Sequence, residues 1–151
     1  MEPLIDPGWI SEPWARSLFR LSLAAALGGL VGFEREHTGK AAGLRTHMLV
    51  ALGCALLMLL PEELGIDAQG SSRVIAGVVA GIGFLGAGAI LKRTEPLEIR
   101  GLTTAASIWV TAAIGLAVGG GAWQTAIIAV ALTFAILSIL GWLEGRGKQN
   151  H

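Results

Sequence analysis

The side chains able to do chemistry crowd into one stretch, Glu34-Arg35-Glu36-His37-Thr38-Gly39-Lys40-Ala41-Ala42-Gly43-Leu44-Arg45-Thr46-His47. Two carboxylates, three cations and two histidines together admit charge pairing, anion binding or a histidine ligand pair. Glu34 and Glu36 lie two apart, so a continuing helix aims them in different directions. Arg45, or Arg100 further along, could neutralise one of them where an unpaired carboxylate is costly. Lys40, Arg45 and the free amides that open a helix around Thr46 could hold an anion such as a lipid phosphate. The plain alternative is a set of solvated charges that anchors topology. His37 and His47 flank the stretch, but two histidines alone make an incomplete metal site, so no metal centre is expected. Mg²⁺ is conceivable at this stretch and is not readable from the residues.

Catalysis is the least expected class. The chain has three histidines, and no Ser-His-acid or Cys-His arrangement is readable. Gly39-Lys40-Ala41 lacks the spacing and hydroxyl of a phosphate-binding loop. No cofactor is identified. Cys54, the single cysteine, reads as a small packing residue and allows no intrachain disulfide.

What must position the charged stretch is a membrane. From Gly101 to Leu143 no Asp, Glu, Lys or Arg occurs, and only Gly119-Gly120-Gly121 interrupts the run. At about 1.5 Å per residue this is roughly 65 Å of helix, two crossings of a ~30 Å hydrocarbon slab joined by a turn. The composition is 53% hydrophobic and 15% charged, with 22 glycines. Soluble domains carry about 25% charge, so the lipid bilayer is the first expected partner. A net charge of zero gives no argument for nucleic acid, and none is expected. A cleaved leader is not expected, because the apolar run from Leu21 follows a mixed-charge start.

Gaps between charges give an all-α membrane protein, a compact bundle of about five spans over 17–33, 44–60, 74–91, 102–118 and 123–142. Residues 1–16 form an outer segment and 144–151 a cytoplasmic tail. Arg35, Lys40 and Arg45 fall in the first connection, and Lys92, Arg93 and Arg100 in the third. The second holds Arg73 beside Glu62, Glu63 and Asp67, and the fourth holds no charge. By the positive-inside rule the amino terminus is outside and the carboxyl terminus inside, with the Lys92 to Arg100 loop cytoplasmic. Arg20 is expected to snorkel to the outer headgroups, since a central Arg costs roughly 2.5–3.5 kcal/mol. Trp9, Trp14, Trp123 and Trp142 fall near the proposed interfaces.

Two patterns inside the spans call for partners. Span three carries Gly77, Gly81, Gly83, Gly86 and Gly88, and span one carries Gly28 and Gly32. A glycine inside a helix costs about 1 kcal/mol against alanine, which is tolerable only where backbones approach closely or the helix breaks. Close packing is expected, with span three gripped by its neighbours. Span four carries Thr103, Thr104, Ser107 and Thr111, with 103, 107 and 111 along one face. Those hydroxyls either line a polar path or bond backward and across to another helix.

Gly32-Phe-Glu-Arg-Glu-His-Thr-Gly-Lys-Ala-Ala-Gly-Leu-Arg-Thr-His47 resembles the signature of the MgtC/SapB family of bacterial inner-membrane proteins. Gly81-Ile-Gly-Phe-Leu-Gly-Ala-Gly-Ala-Ile-Leu-Lys92 and the block from Arg100 to Gly115 resemble it too. The resemblance implies a multi-pass bundle linked to adaptation to low magnesium and, in some pathogens, to survival in host cells. It also implies a regulator of other membrane machinery, including the proton-driven ATP synthase. Many relatives continue into a cytoplasmic domain after the fifth helix, whereas this sequence runs only to His151.

Two functions follow as expectations. The first is a non-catalytic regulator that docks on another membrane complex through glycine-rich faces. The second is a small oligomeric Mg²⁺ transporter or channel, with Glu34 and Glu36 as an entry ring and the span-four hydroxyls as its path. Against the second, Mg²⁺ dehydrates reluctantly, and spans two to five hold no acidic residue in the hydrocarbon zone.

Overall fold

Each long apolar run folds as a helix, and its neighbours' charges and glycines mark where it stops. The computed structural model describes residues 13–93 and 98–140. Trp9, Trp142, His151, the first twelve residues and the tail lie outside the described residues. Helix α1 spans Pro13–His37, with proline at its first position, where a missing N–H is harmless. It ends at Gly39, whose φ of +67° favours glycine, and the Lys40 amide closes on the Arg35 carbonyl at 2.9 Å. Helix α2 spans Leu44–Glu63 and contains Pro61 in its last turn. Helix α3 spans Ala68–Ala89, and the Asp67 carboxylate caps it by accepting from the Gly70 amide at 2.8 Å.

A short antiparallel hairpin follows. Strand β1 (Leu91–Arg93) pairs with β2 (Glu98–Arg100) in the register Leu91↔Arg100, Lys92↔Ile99, Arg93↔Glu98. Three-residue strands are too short to show a period, so the sequence suggests only a loop there. Gly101, at φ +93°, turns the hairpin into helix α4 (Leu102–Gly119), and a side chain there would strike the Ala89 carbonyl. Helix α5 spans Trp123–Ala135 and runs into a π-helical turn, Ile136–Leu140. The helices extend earlier or later than the charge gaps suggest: α1 begins at Pro13 rather than 17, and α3 at Ala68 rather than 74. Charged residues at the ends of membrane helices keep their helical hydrogen bonds. The chain is a multi-pass membrane protein in which α1 to α4 are long and apolar enough to cross a bilayer, while α5 is a shorter apolar helix.

The centre of the bundle is α1, α2 and α4. A methyl on Gly28 would come within 2.6 Å of the His47 carbonyl oxygen, and one on Gly32 within 2.8 Å of the Leu44 Cα. Gly115 and Gly119 bring α4 equally close on the other side of α2, where added methyls would meet the Cα atoms of Ala51 at 2.9 Å and Ala55 at 2.8 Å. Ala24, Leu27, Val31, Ile114 and Val118 fill the space between, joined by Ala126 and Val130 of α5. Small residues let helix backbones meet, and dispersion and hydrogen bonds then act at short range where lipid offers no hydrophobic drive.

This corrects the expectation for the third span. Helix α3 is peripheral, and Ile82 is its one buried residue. Nothing lies within 4 Å of where a side chain would begin at Gly77, Gly81, Gly83 or Gly88, and Gly86 has only an ordinary 3.7 Å approach to Ala105. The close approach that glycine permits is therefore made by α1 and α4, and the α3 glycines stay open.

Arg16 and Arg20, near the start of α1, find partners on other helices. Arg20 donates to Glu62 at 2.6 Å and to the Gly119 carbonyl at 3.0 Å, tying α1 to the ends of α2 and α4. Arg16 reaches the other oxygen of Glu62 at 3.2 Å, and the Ser17 hydroxyl donates to Glu63 at 2.7 Å. Arg20 is thus held by a carboxylate and a carbonyl of the protein itself.

Gly115→Leu should destabilise the bundle by roughly 1–3 kcal/mol or more, because backbone blocks the new side chain. Denaturant unfolding in detergent micelles measures this, and an unchanged midpoint would contradict the packing described.

Candidate functional site

The charged stretch straddles the α1–α2 turn, and the helix geometry sorts its members. Because α1 continues to His37, Glu34 and Glu36 diverge as the spacing requires: Glu34 is 8% exposed and Glu36 is on the surface. Glu34 takes its own neighbour as partner. Arg35, 3% exposed, grips it with Nε and with Nη2, the latter at 2.8 Å. Adjacent helical residues ordinarily point about 100° apart, so both side chains bend to one side to meet. Arg35 thus offsets the charge of Glu34 from within the same helix, a part that the sequence offered to Arg45 or Arg100. Arg45 is exposed instead, and Arg100 sits at the base of the hairpin.

Glu36 has a structural task. Its carboxylate accepts from the Leu44 amide at 2.8 Å and caps the start of α2. Gly43 must stay bare beside it, since a methyl there would lie 2.7 Å from the same carboxylate oxygen. The free amide expected to bind an anion is thus already taken in part by a carboxylate. Lys40 and Thr46 are exposed, and the Thr38 hydroxyl donates back to the Glu34 carbonyl at 3.0 Å. Of Lys92 only the backbone, in β1, is described.

The two histidines separate. His37 is exposed and stacks on Phe33, with ring centroids 6.0 Å apart. His47 has no exposed surface and spans two helices: Nδ1 lies 2.9 Å from the Gly43 carbonyl and Nε2 lies 3.1 Å from the Ser107 hydroxyl of α4. Ser107 Oγ donates in turn to the Thr104 carbonyl at 2.8 Å. Thr104, Ser107 and Thr111 are all buried, and Thr103 is exposed. Three of the four hydroxyls therefore face the core of their own chain, and Thr103 does not. Thr111 Oγ1 has no hydrogen-bond partner, the sole such buried side-chain atom among the described residues.

A cleft of about 580 Å³ opens at this end, between the last turns of α1 and the π turn after α5. Glu34, Arg35, Thr38 and Lys40 form its polar wall, and Phe33, Phe134 and Leu137 its apolar one. π turns displace side chains from a regular helical face, here Leu137 and Ser138 toward the cleft. The α5 contribution and the His47–Ser107 bridge are not among the residues that sequence reasoning singled out as a unit. A signal existed for Gly115 and Gly119, which repeat the four-residue spacing of Gly28 and Gly32.

Comparison with known proteins matches the MgtC family model to residues 21–146. YhiD of Escherichia coli (strain K12), named as a candidate magnesium transporter, is 45% identical over 87% of this chain and 64% of its own length. SrpB of Synechococcus elongatus (strain ATCC 33912 / PCC 7942 / FACHB-805) is 42% identical over 83% of this chain and 75% of its own. MgtC of Brucella abortus (strain 2308) is 42% identical over 85% of this chain and 53% of its own. This chain therefore spans only part of the length of these relatives. No solved structure matches it.

Glu34→Gln should cost about 3–5 kcal/mol, because it strands the buried Arg35 charge, whereas the pair replacement Glu34→Leu with Arg35→Met should be near neutral. Unfolding of both variants in micelles checks the contrast, and equal losses would show that the pair is not a buried charge couple. Thr111→Val should be neutral or slightly stabilising, since it removes an unpaired hydroxyl at constant shape. A large loss of stability would reveal a partner for that hydroxyl.

Proposed function

As this chain belongs to the MgtC family, we propose that it works as a non-catalytic membrane regulator, in adaptation to low magnesium, by docking on another membrane complex. The ATP synthase or an ion transporter is the kind of complex that the family resemblance implies. One observation carries the reading: the glycine face of α3 has no partner within the chain. Gly77, Gly81, Phe84 and Gly88 recur at helical spacing along it, and Phe84 is 81% exposed. Lipid gains nothing from glycine, and each one weakens the helix by about 1 kcal/mol. A second helix laid against that face would gain the close backbone contact that lipid tails cannot make.

Beside this face runs an apolar groove of about 650 Å³, with Leu49, Gly53 and Leu57 on its α2 wall. In this reading the positive-inside rule puts the Glu34 end of the bundle on the cytoplasmic side. A complex docked on α3 would then lie alongside the α1–α2 turn and the hairpin.

The alternative is a small oligomeric cation transporter, and the name of YhiD favours it. Against it, one copy turns Thr104, Ser107 and Thr111 into its own core and holds Glu34 against Arg35. A transport path would have to form between copies.

Gly81→Leu separates docking from folding. The added side chain meets open space within the chain, so insertion should match the parent protein and unfolding should come no earlier, while crosslinked capture of a membrane partner should fall about tenfold or more. Capture undiminished in the variant, or no stoichiometric partner at any magnesium concentration, would defeat the regulator. Mg²⁺ uptake by liposomes holding the purified protein, above that of empty vesicles, would favour the transporter.

A further inference from the structure

His47 is a titratable side chain without exposed surface inside a membrane bundle, and the docking function makes no use of it. Proton counting along its hydrogen bonds is informative. The Gly43 carbonyl, 2.9 Å away, offers only lone pairs, so Nδ1 must carry a hydrogen. Ser107 has one hydroxyl hydrogen and two acceptors in reach: the Thr104 carbonyl at 2.8 Å and, when the ring is neutral, Nε2 at 3.1 Å. It can serve one of them at a time.

Both protonation states of the ring are therefore satisfied with every heavy atom in place. In the neutral ring the Ser107 hydroxyl donates to Nε2. When Nε2 gains a proton, the hydroxyl turns, accepts from the new N–H and donates to the Thr104 carbonyl. Buried polar groups are costly when left unpaired, and here neither state leaves one on the ring. A glutamine could occupy such a bridge but could not change charge.

The surroundings are sparse. From α1, Glu34 and Arg35 are the charged groups whose fields reach His47. Helix α4, which supplies Ser107, has no charged residue. On its own helix, Arg45 is exposed. The cleft between α1 and α5 is lined by Glu34 and Arg35, the two charged groups whose fields reach His47.

We propose that His47 and Ser107 form a proton-binding site in the core of the bundle, in which the Ser107 hydroxyl reverses its hydrogen bond when a proton reaches Nε2. The step adds one proton from water to Nε2, and no other covalent bond changes. The α2–α4 hydrogen bond persists in both states with its direction reversed, and in the charged state the hydroxyl also bonds to the carbonyl of its own helix. This inference is independent of the docking role.

The test is nitrogen NMR of the full chain, with ¹⁵N-labelled histidine, in lipid nanodiscs, with the His47 signals identified by their loss in His47→Gln. Over about pH 4 to 9, the range where imidazoles titrate, Nδ1 should stay protonated while Nε2 passes from bare to protonated in one step. The Ser107 Cβ resonance should move in the same step. Ser107→Ala, which takes the acceptor from the charged ring, should weaken proton binding about tenfold. A bare Nδ1, an Nε2 that never changes state, or a Ser107 signal indifferent to the step would overturn the proposal. The measurement on the unaltered protein decides the matter even if the alanine variant fails to fold.

Discussion

The structure depends on how closely three helix backbones can approach. Lipid tails are as apolar as leucine, so side-chain hydrophobicity does not drive these helices together. What remains is short-range contact, and that requires small residues where the axes cross. Gly28 and Gly32 of α1 and Gly115 and Gly119 of α4 supply them from two sides, with Ala51 and Ala55 of α2 between. Each glycine weakens its own helix by about 1 kcal/mol, a cost offset only where a neighbour fills the space. The packed triangle meets that condition. Helix α3 does not meet it within this chain, and its glycine face stays open.

The same three helices are fastened at both ends by polar groups that need one another. At one end Arg20 joins the end of α1 to Glu62 of α2 and to the last carbonyls of α4. At the other, Glu36 caps α2 and the Glu34–Arg35 pair closes on itself beneath the turn. His47 then crosses from α2 to Ser107 in α4. In a medium that offers no hydrogen bonds, such links fix register as firmly as packing does.

Much of this was legible in the residues. The uncharged run of forty-three residues pointed to membrane helices, and the charge gaps located all five helices, four of them long and apolar enough to cross a bilayer. The divergence of Glu34 and Glu36 followed from helical periodicity alone. The partner of Glu34 did not, because adjacent helical residues rarely pair and Arg45 looked better placed. The hairpin escaped notice because its strands are three residues long. Arg20 was expected among headgroups because a sequence does not reveal that the end of α4 brings a carbonyl to it.

Residue type and spacing thus determined the solvent of this protein, the number of its helices, its family blocks and which residues could do chemistry. Those properties are local: hydropathy, periodicity and charge act along one helix at a time. Only the tertiary structure decided which glycine pairs meet a neighbour and which remain open. It also buried His47 against Ser107 and turned the hydroxyl stripe inward. The five-glycine helix and the two-glycine helix announce the same need for a close neighbour, and the order in which helices stack determines which of them finds one within the chain.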